Sequence, residues 1–328
     1  MTDELLKGYD KNSEEYSQYQ NNYYIAYNNR GNAKYNLEQY KEAIKDFDKA
    51  IELNNNSSKA YNNRGNAKKN LELYEEAIKD YDKAIELDTN NSMSYNNRGI
   101  AKSKFGNNEE GIKDFNKAIE LNPNYSEAYN NRGSAKKNLE LYEEAIKDYD
   151  KAIELNPDYS NAYHNRGNAK SNLGLYDEAI KDYNKSIELN SNNASAYNNR
   201  GNSKYNLKQY DEAIKDYDKA IELNPDYSNA YNNRGNAKKN LGLYDEAIKD
   251  YDKAIELNPN NSDYYYNRGL AKLDLGLDEE AYNDFIKCYD LADDKLKEEY
   301  KQKIINLARQ SYESAIKICN GFVGYFEV

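Results

Sequence analysis

The chain is built from short blocks in which small, apolar and polar residues alternate with the period of a helix. In residues 126–159, Tyr129 and Gly133 stand four residues apart among other small residues. This spacing puts side chains on one helical face, so the block predicts a helix. Ser126 belongs to a residue type that caps helix N-termini. We therefore predict a first helix that Ser126 caps and that ends near Leu139.

A second block follows after a short break. Ala145, Tyr149 and Ala152 form one apolar stripe at helical spacing. Acidic residues begin this block from Glu143, where the helix dipole favours negative charge. Pro157 follows the block, and proline is incompatible with a helix interior. The two blocks together predict a pair of helices joined by a short turn.

The same pair of blocks occurs eight times at a fixed interval of 34 residues, without insertion or deletion. Counted from Tyr24, the eight tandem repeats cover residues 24–295. Residues 1–23 are predicted to be a partly helical N-terminal extension. Residues 296–328 are predicted to be a C-terminal capping helix or a degenerate ninth repeat, followed by a tail. An Arg-Gly dipeptide marks each repeat, at Arg30, Arg64, Arg98, Arg132, Arg166, Arg200, Arg234 and Arg268.

Six positions of the fourth repeat resemble the tetratricopeptide repeat. Tyr, Gly, Ala, Tyr, Ala and Pro occupy its fourth, eighth, twentieth, twenty-fourth, twenty-seventh and thirty-second places, and the other repeats keep most of this pattern. This resemblance implies an all-α fold, an α-solenoid in which antiparallel helix pairs form a right-handed superhelix. The repeats depart from the family pattern at two places, with Arg where Leu is usual and Lys where an aromatic residue is usual. We expect these departures to change what holds the helices together and to leave the fold intact.

An Asp follows each of these Arg residues after sixteen positions, from Asp46 after Arg30 to Asp284 after Arg268. A guanidinium near a helix-packing face requires a carboxylate or carbonyl oxygens, because burying an unpaired charge is costly. We therefore expect structural Arg–Asp pairs, within a repeat or between neighbours. The alternative is a solvated charge stripe without pairing, since exposed ion pairs contribute only about 0 to 1 kcal/mol.

The Tyr and Gly positions of the first helix are expected to serve packing. Tyr four residues before each Gly falls on the core side of the helix, which favours a packing residue over a stacking platform for bases. Each Gly allows the two helices of a repeat to approach closely. Gly111 stands where the family has Ala, which predicts that the third repeat is weaker by about 1 kcal/mol.

Composition limits the partners. The 46 basic and 57 acidic side chains give a net charge of −11, the wrong sign for phosphate backbones or an anionic membrane surface. We therefore expect neither nucleic acid nor membrane as a partner. The polar composition would also fit a disordered chain, but 36 Tyr at periodic places argue against disorder. Neither a secretory signal nor a membrane-spanning run stands out, so we expect a cytoplasmic protein.

Asn residues occupy the face of the first helix opposite Tyr and Gly. Asn carries donors and an acceptor on a short side chain, which suits the N–H and C=O groups of an extended peptide. The resemblance implies that first helices line a concave surface and that Asn rows of this kind hold extended peptides. We therefore predict a groove for a protein or extended peptide, with these side chains pointing away from the helix-packing face. The groove residues are Asn29, Asn32, Asn63, Asn66, Asn97, Asn131, Asn165, Asn168, Asn199, Asn202, Asn233, Asn236 and Asn267.

The Asn rows also have a second interpretation. A coding bias toward Asn, Lys, Tyr and Ile places Asn on any solvated face, and consensus-like repeats carry Asn at these positions for structural reasons. Two irregular repeats interrupt the rows, with Ile100 in the third and Tyr266 and Leu270 in the eighth. These residues offer apolar anchors for a partner, although those of the eighth repeat are expected to pack under the C-terminal segment.

Another binding mode of the family is a carboxylate clamp for chaperone C-termini, which needs Lys and Arg around an Asn. Asn28, Asn62 and Asn97 occupy the basic places in this chain, which disfavours a chaperone adaptor. The second and fourth repeats are nearly identical, and a groove of repeated chemistry fixes the register of a ligand weakly. We therefore expect modest affinity for a long, extended partner.

Catalytic constellations are absent from the sequence. His164 is the lone histidine and replaces an Asn of one repeat, and Cys288 and Cys319 lack metal-ligand spacing. No phosphate-binding loop, nucleophile motif or zinc-ligand spacing is present. We predict that the chain is not an enzyme and needs no cofactor or metal.

Two classes of function remain. The first is a protein–protein interaction scaffold that binds an extended peptide or partner protein along the Asn-rich concave groove. The alternative is a self-assembling structural or assembly-factor subunit with partner docking at the C-terminal end. An open solenoid end exposes an apolar face, so we expect Tyr300 and Ile304 to cover Tyr282 and Ile286 of the eighth repeat. The oligomeric state is left open.

Overall fold

The computed structural model describes residues 13–293, 297–298 and 300–305. This part of the chain contains sixteen helices with defined bounds, two for each repeat, and residues 297–298 and 300–305 are helical as well. Odd-numbered helices are the first helices of the repeats, and even-numbered helices are the second. The bounds are α1 Glu14–Asn36, α2 Tyr40–Leu53, α3 Ser58–Asn70, α4 Tyr74–Leu87, α5 Ser92–Lys104, α6 Asn108–Leu121, α7 Ser126–Asn138, α8 Tyr142–Leu155, α9 Ser160–Asn172, α10 Tyr176–Leu189, α11 Ala194–Asn206, α12 Tyr210–Leu223, α13 Ser228–Asn240, α14 Tyr244–Leu257, α15 Ser262–Asp274 and α16 Asp278–Leu291.

The helices form two compact bodies, which divide inside α9 between Ala169 and Lys170. In the N-terminal body each helix from α1 to α8 packs against the next, and α1, α3, α5 and α7 also contact one another in succession. In the C-terminal body the same order holds from α10 to α16, with further contacts between α11 and α13 and between α13 and α15. The predicted all-α fold of stacked helix pairs is confirmed.

Second helices form because their apolar residues repeat at helical spacing. In α8 the side chains of Ala145, Tyr149 and Ala152 are buried, as the sequence pattern predicts. The helix begins at Tyr142, one residue before the predicted start, and its C-cap Asn156 precedes Pro157. The apolar stripe therefore sets both the extent of the helix and the face that it buries.

First helices begin one residue earlier than the sequence predicts. Ser126 is already helical, and the N-cap is Tyr125, whose ψ of 84° is not helical and whose side chain accepts no capping bond. The prediction of Ser126 as N-cap is wrong, because the cap position is the last residue of the preceding repeat. Only where that residue has a short oxygen-bearing side chain does it cap the helix, as the structure shows for Ser57, Asn91, Asn193 and Asn261.

Close approach of the two helices of a repeat depends on glycine. A Cβ added at Gly133 would lie 2.8 Å from the ring of Tyr149, which confirms the predicted role of these glycines. The interpretation of Gly111 needs correction. A Cβ at this position would lie 2.3 Å from Ser103 Oγ and 2.8 Å from the carbonyl oxygen of Gly99. Gly111 therefore permits close packing against α5, where the Cβ of an Ala would clash. Helix propensity alone therefore does not predict that the third repeat is weaker than one with Ala at this position.

A buried aspartate joins the two helices of each described pair. In the fourth repeat Asp148 is 4% exposed and accepts from Arg132 Nη2 at 2.5 Å and Nε at 3.0 Å. The Arg–Asp prediction is confirmed in seven repeats. The pairs are Arg30–Asp46, Arg64–Asp80, Arg98–Asp114, Arg132–Asp148, Arg200–Asp216, Arg234–Asp250 and Arg268–Asp284.

The carboxylate and the guanidinium of this framework make three further contacts. The Lys four residues after each Arg shares the same carboxylate, as Lys68 Nζ does at 2.7 Å from Asp80 Oδ2. The second terminal nitrogen of Arg reaches the preceding repeat, as Arg64 Nη1 does at 2.7 Å from Asp48 Oδ1. Arg64 also lies over the ring of Tyr61, 5.4 Å from its centroid. Lys thus stands where the family has an aromatic residue because a buried carboxylate replaces part of the apolar contact.

The C-terminal end of the described chain carries an apolar cluster. Tyr300 and Ile304 are buried and share this cluster with Phe285 and Cys288 of the eighth repeat. The apolar side chains of the eighth repeat therefore pack against the C-terminal segment, as expected. The remainder of the predicted cap, including Cys319, lies outside the described residues. The partly buried residues around the cluster include Tyr266, Leu270, Leu273, Tyr282 and Ile286.

Candidate functional site

The thirteen predicted groove residues lie on the first helices, at the sixth and ninth positions of the repeats. We call the surface that they form the carboxamide face. Asn29 is exposed, most of the others are half-buried, and Asn97 is only 8% exposed. The partial burial indicates that these side chains contact other parts of the protein.

Side chains at the sixth position link neighbouring repeats. Asn131 Nδ2 in α7 donates to Asn96 Oδ1 in α5 at 3.0 Å, and in five other repeats the residue before the Arg makes the equivalent bond to the residue thirty-five positions earlier. The prediction that these side chains point away from the helix-packing face is therefore wrong for these six residues. The bonds are Asn63–Asn28, Asn97–Asn62, Asn131–Asn96, Asn165–Asn130, Asn233–Asn198 and Asn267–Asn232.

One internal bond does not exhaust a carboxamide. Asn63 uses one of its two N–H groups on Asn28, at 3.2 Å, and keeps its second N–H and its oxygen. The bond between repeats also holds the side chain in one orientation. The sixth position therefore has a structural role and retains a donor and an acceptor at a fixed place.

At the ninth position, side chains accept a hydrogen bond from the second helix. The hydroxyl of Tyr81 donates to Asn66 Oδ1 at 2.7 Å, and those of Tyr217 and Tyr251 donate in the same way. Each bond leaves both N–H groups of the Asn for other partners. Burial raises the pKa of Tyr81 well above its usual range, so the phenol remains a donor at neutral pH.

The residue type at the ninth position follows the aromatic residue beneath it. Ile100 stands above Phe115 in the third repeat and Leu270 above Phe285 in the eighth, where no hydroxyl needs an acceptor. Asn32 is the exception, because its repeat has Phe47 at that place. Its carboxamide has no hydrogen-bond partner within the described part of the chain. Asn32 thus has its full hydrogen-bonding capacity available.

One pocket of about 340 Å³ lies between α1 and α3. Its lining contains no charged side chain. Asn70 Nδ2 donates to the Tyr35 hydroxyl at 2.7 Å, so the aromatic wall is also tied to the next repeat. This neutral pocket is lined by Asn32, Tyr35, Asn36, Asn63 and Asn66.

A second pocket, of about 270 Å³, lies between α5 and α7. Lys104 and Lys137 are its only charged lining residues, and neither forms an ion pair within the described residues. Ile100 and Phe115 supply an apolar wall, and Asn131 belongs to the carboxamide face. We call this the cationic pocket, in contrast to the neutral pocket two first helices earlier on the same face.

Lysines at the twelfth position are half-buried on the first helices. Burial lowers the pKa of Lys69, Lys137 and Lys239, because the charged ammonium loses water. Sequence reasoning missed these lysines, since Lys in a polar helix is usually solvated. The sequence did contain a signal of partial burial, because Tyr35 and Tyr205 occupy the same position in two other repeats.

His164 and Cys288 are the histidine and the cysteine within the described residues, and burial shifts the pKa of both. Burial, together with Lys137, lowers the pKa of His164 to about 4, so its imidazole is neutral at pH 7. Burial raises the pKa of the Cys288 thiol to about 12, which keeps it protonated. In the described residues, no group of three or more His, Cys, Asp or Glu side chains is placed to hold a metal ion.

Within the described ranges, every helix falls short of a membrane span in length or in apolar character. A helix that crosses the hydrocarbon core of a bilayer needs about 20 mostly apolar residues. First helices such as α3 instead carry Asn, Lys and Arg along their length.

Comparison with known families identifies the class of protein. Sequence models described as the tetratricopeptide repeat match seven consecutive segments and, in a further match, residues 250–283. Because these matches cover well over half of the chain, it belongs to the tetratricopeptide repeat family. The first seven matches keep the predicted boundaries, at residues 24–57, 58–91, 92–125, 126–159, 160–193, 194–227 and 228–261.

Solved structures agree on the fold. A tetratricopeptide repeat protein from Parabacteroides merdae ATCC 43184 matches with a TM-score of 0.58 and 22% identity, over 78% of this chain and 98% of that one. PilF of Pseudomonas aeruginosa matches with a TM-score of 0.57 and 20% identity, over 63% and 94%. The APC/C hetero-tetramer Cut9–Hcn1 matches with a TM-score of 0.63 and 16% identity, over 80% of this chain and 52% of that one. These likenesses confirm the α-solenoid fold class. The comparison with curated proteins gives no match.

Proposed function

We propose that the chain is a protein-interaction scaffold that binds an extended peptide along the carboxamide face. The observation that carries this proposal is the neutral pocket between α1 and α3, where Asn32 has no hydrogen-bond partner among the described residues. A carboxamide that neither joins repeats nor receives a Tyr hydroxyl is not explained by the stability of the fold. Membership of the tetratricopeptide repeat family supports the same role.

The chemistry of this pocket suits a peptide main chain. Asn32 offers two N–H groups and an acceptor oxygen, enough to bond both the C=O and the N–H of one residue. Asn63 keeps a donor and an acceptor, and Asn66 keeps two donors, after their internal bonds. Because the lining has no charge, recognition in this pocket depends on the backbone and on packing against Tyr35. Such a pocket holds many sequences with similar affinity.

Self-assembly through the C-terminal end is supported less well. That alternative requires an apolar surface left open for a partner on the eighth repeat. Tyr300 and Ile304 instead lie in one buried cluster with Phe285. The ring of Tyr266 lies 5.3 Å from the ring of Tyr300. The described residues at this end thus contact each other, and the carboxamide face is the better-supported binding surface.

The proposal is tested with Asn32→Ala and a pool of random peptides of about ten residues. Loss of two hydrogen bonds at about 0.5 to 1.5 kcal/mol each should weaken the captured peptides roughly fivefold to more than a hundredfold. Affinity is measured by fluorescence anisotropy on the full chain. Asn55→Ala, at an exposed position in the turn before α3, is the matched control and should change nothing.

Asn32 is a sharper test than a set of sixth-position residues. Replacing Asn131 or Asn165 would also remove a bond between repeats, so lost binding would be confounded with lost stability. Asn32→Ala should leave the melting temperature within experimental error of the parent. Unchanged affinity of Asn32→Ala for every captured peptide would refute the main-chain contact at this pocket.

A further inference from the structure

The cationic pocket differs from the rest of the carboxamide face in its charge. Lys104 is the only Lys at the thirteenth position of a repeat, where six other repeats have Asn and the eighth has Asp274. Lys104 and Lys137, which lies on the next first helix, line the same pocket. The two positions form this pair only at the junction of the third and fourth repeats.

Neither of these lysines belongs to the framework that holds the repeats together. Lys102 and Lys136 point at buried carboxylates, with Nζ at 2.9 Å from Asp114 Oδ2 and 3.0 Å from Asp148 Oδ2. Lys104 and Lys137 have no ion-pair partner among the described residues, and the pocket lining contains no acidic side chain. The pocket therefore holds positive charge that the fold does not neutralise.

Ser103 also lines this pocket, but its Oγ is inaccessible to solvent and packs against α6, 2.3 Å from the place that a Cβ at Gly111 would take. The two lysines, and not this hydroxyl, therefore favour an anionic ligand.

Partial burial of Lys137 increases the need of its ammonium group for a negatively charged partner. The lowered pKa of Lys137 reflects an ammonium that has lost part of its hydration. His164, whose pKa is also lowered, is neutral at pH 7 and adds no further positive charge. A carboxylate in the pocket would restore the lost interaction. Its attached methylene groups would contact Ile100 and Phe115.

We propose that the cationic pocket between α5 and α7 takes a glutamate side chain of the extended peptide that lies on the carboxamide face. This inference rests on the proposed function and names the chemistry of its partner. The apolar wall favours glutamate over aspartate, because the longer stem buries one more methylene, worth about 0.8 kcal/mol when buried fully, or roughly a fourfold preference.

The same geometry fixes where the glutamate stands in the peptide. The neutral and cationic pockets are two first-helix steps apart within the N-terminal body. Packed helices lie about 8 to 10 Å apart, so the pockets are separated by roughly 16 to 20 Å. An extended chain advances about 3.3 Å per residue, so five or six residues span that distance. The peptide should therefore carry its glutamate five or six residues from the segment held by Asn32.

The experiment uses the full chain and a library of acetylated, amidated peptides of about ten residues. Each captured Glu peptide is compared with its Gln and phosphoserine counterparts by fluorescence anisotropy at physiological salt, where the Debye length is about 8 Å and distant acidic residues are screened. The parent should prefer Glu over Gln by at least about tenfold. Lys104→Gln with Lys137→Gln should reduce that preference to about twofold or less.

Lys117→Gln with Lys151→Gln is the matched control. These lysines lie on the second helices of the same body and pair with Glu120 and Glu154 three residues on, so the net charge changes equally. The control should keep the full Glu preference. Circular dichroism of both double variants verifies the fold.

Each outcome has one meaning. A parent that binds Gln and Glu peptides equally, or a Glu preference that survives in the pocket variant, overturns the inference while the proposed function stands. Tighter binding of phosphoserine peptides than of Glu peptides overturns the assignment to glutamate. A parent that captures no peptide at all refutes the proposed function itself.

Discussion

Two pockets on one face of the N-terminal body use the same backbone for different chemistry. The neutral pocket, between α1 and α3, has uncharged Asn and Tyr side chains in its lining. The cationic pocket, between α5 and α7, combines two lysines that lack ion-pair partners among the described residues with an apolar wall. Three positions of the repeat account for much of the difference, with Asn32, Tyr35 and Asn36 in one repeat and Ile100, Ser103 and Lys104 in the other.

The comparison separates residues that build the array from residues that distinguish its parts. Arg, Lys and Asp of the framework are present under both pockets, with Asp80 and Asp148 each bonded to two cations. The ninth, twelfth and thirteenth positions vary because they do not belong to that framework. A repeat protein of this kind can therefore vary its binding chemistry along one face and keep the stacking unchanged.

The largest expected effect is on the framework that the pockets share. Asp80→Ala and Asp148→Ala each leave an Arg and a Lys without their buried carboxylate, which should cost about 3 to 5 kcal/mol of unfolding free energy. Urea denaturation followed by circular dichroism measures the loss, and hydrogen exchange locates it.

Asp82→Ala and Asp150→Ala are the controls, since both carboxylates are 53% exposed and pair with the Arg of the next repeat. Each control should cost less than about 1 kcal/mol. A clear difference between Asp80→Ala and Asp148→Ala would show that the two pockets do not rest on an equivalent framework.

The second expected effect differs in sign between the two pockets. Phe47→Tyr places a hydroxyl beneath Asn32, as Tyr81 does beneath Asn66, and should stabilise the protein by about 0.5 to 1.5 kcal/mol. Phe115→Tyr places the same hydroxyl beneath Ile100, where no acceptor stands at the ninth position, and should cost about 1 to 3 kcal/mol. Thermal denaturation of the two variants compares them directly.

A double-mutant cycle sharpens this test. Ile100→Asn combined with Phe115→Tyr recreates the Asn–Tyr bond of the second repeat, so the coupling energy should be favourable by about 0.5 to 3 kcal/mol. The same sign for Phe47→Tyr and Phe115→Tyr would mean that the hydroxyl does not select the residue at the ninth position.

The smallest expected effect concerns the turns beside the pockets. Glu72, after α3, has a φ of 61°, whereas Gly106, after α5, has a φ of 96°. This left-handed conformation costs a side-chain-bearing residue about 1 kcal/mol relative to Gly. Glu72→Gly should therefore stabilise by about 0.5 to 1 kcal/mol, and Gly106→Ala should destabilise by about 1 kcal/mol or more.

Both turn variants are measured by urea denaturation. Glu75→Gly, in the first turn of α4, is the control and should destabilise by about 0.5 to 1 kcal/mol, because Gly is unfavourable inside a helix. Destabilisation by Glu72→Gly would show that Glu72 contributes more than its backbone conformation.

The sequence by itself determined the 34-residue repeat, the helix pairs and the Arg–Asp pairs. Each of these depends on local spacing. The apolar stripe of Ala145, Tyr149 and Ala152 has the period of one helix, and each Arg of the repeats is followed by an Asp after sixteen residues, as Arg132 is by Asp148. Near-identical copies of the repeat made these inferences stronger, because every copy packs against a similar neighbour.

Only the tertiary structure decided what the Asn side chains do. A helical wheel places Asn63 and Asn66 on a polar face, but it does not show that Asn28 of the preceding repeat accepts from one and that Tyr81 of the second helix donates to the other. The same limit applies to the pocket that brings Lys104 beside Lys137. The physical reason is that a wheel describes one helix alone. Hydrogen-bond capacity, burial and unpaired charge are properties of how neighbouring helices pack.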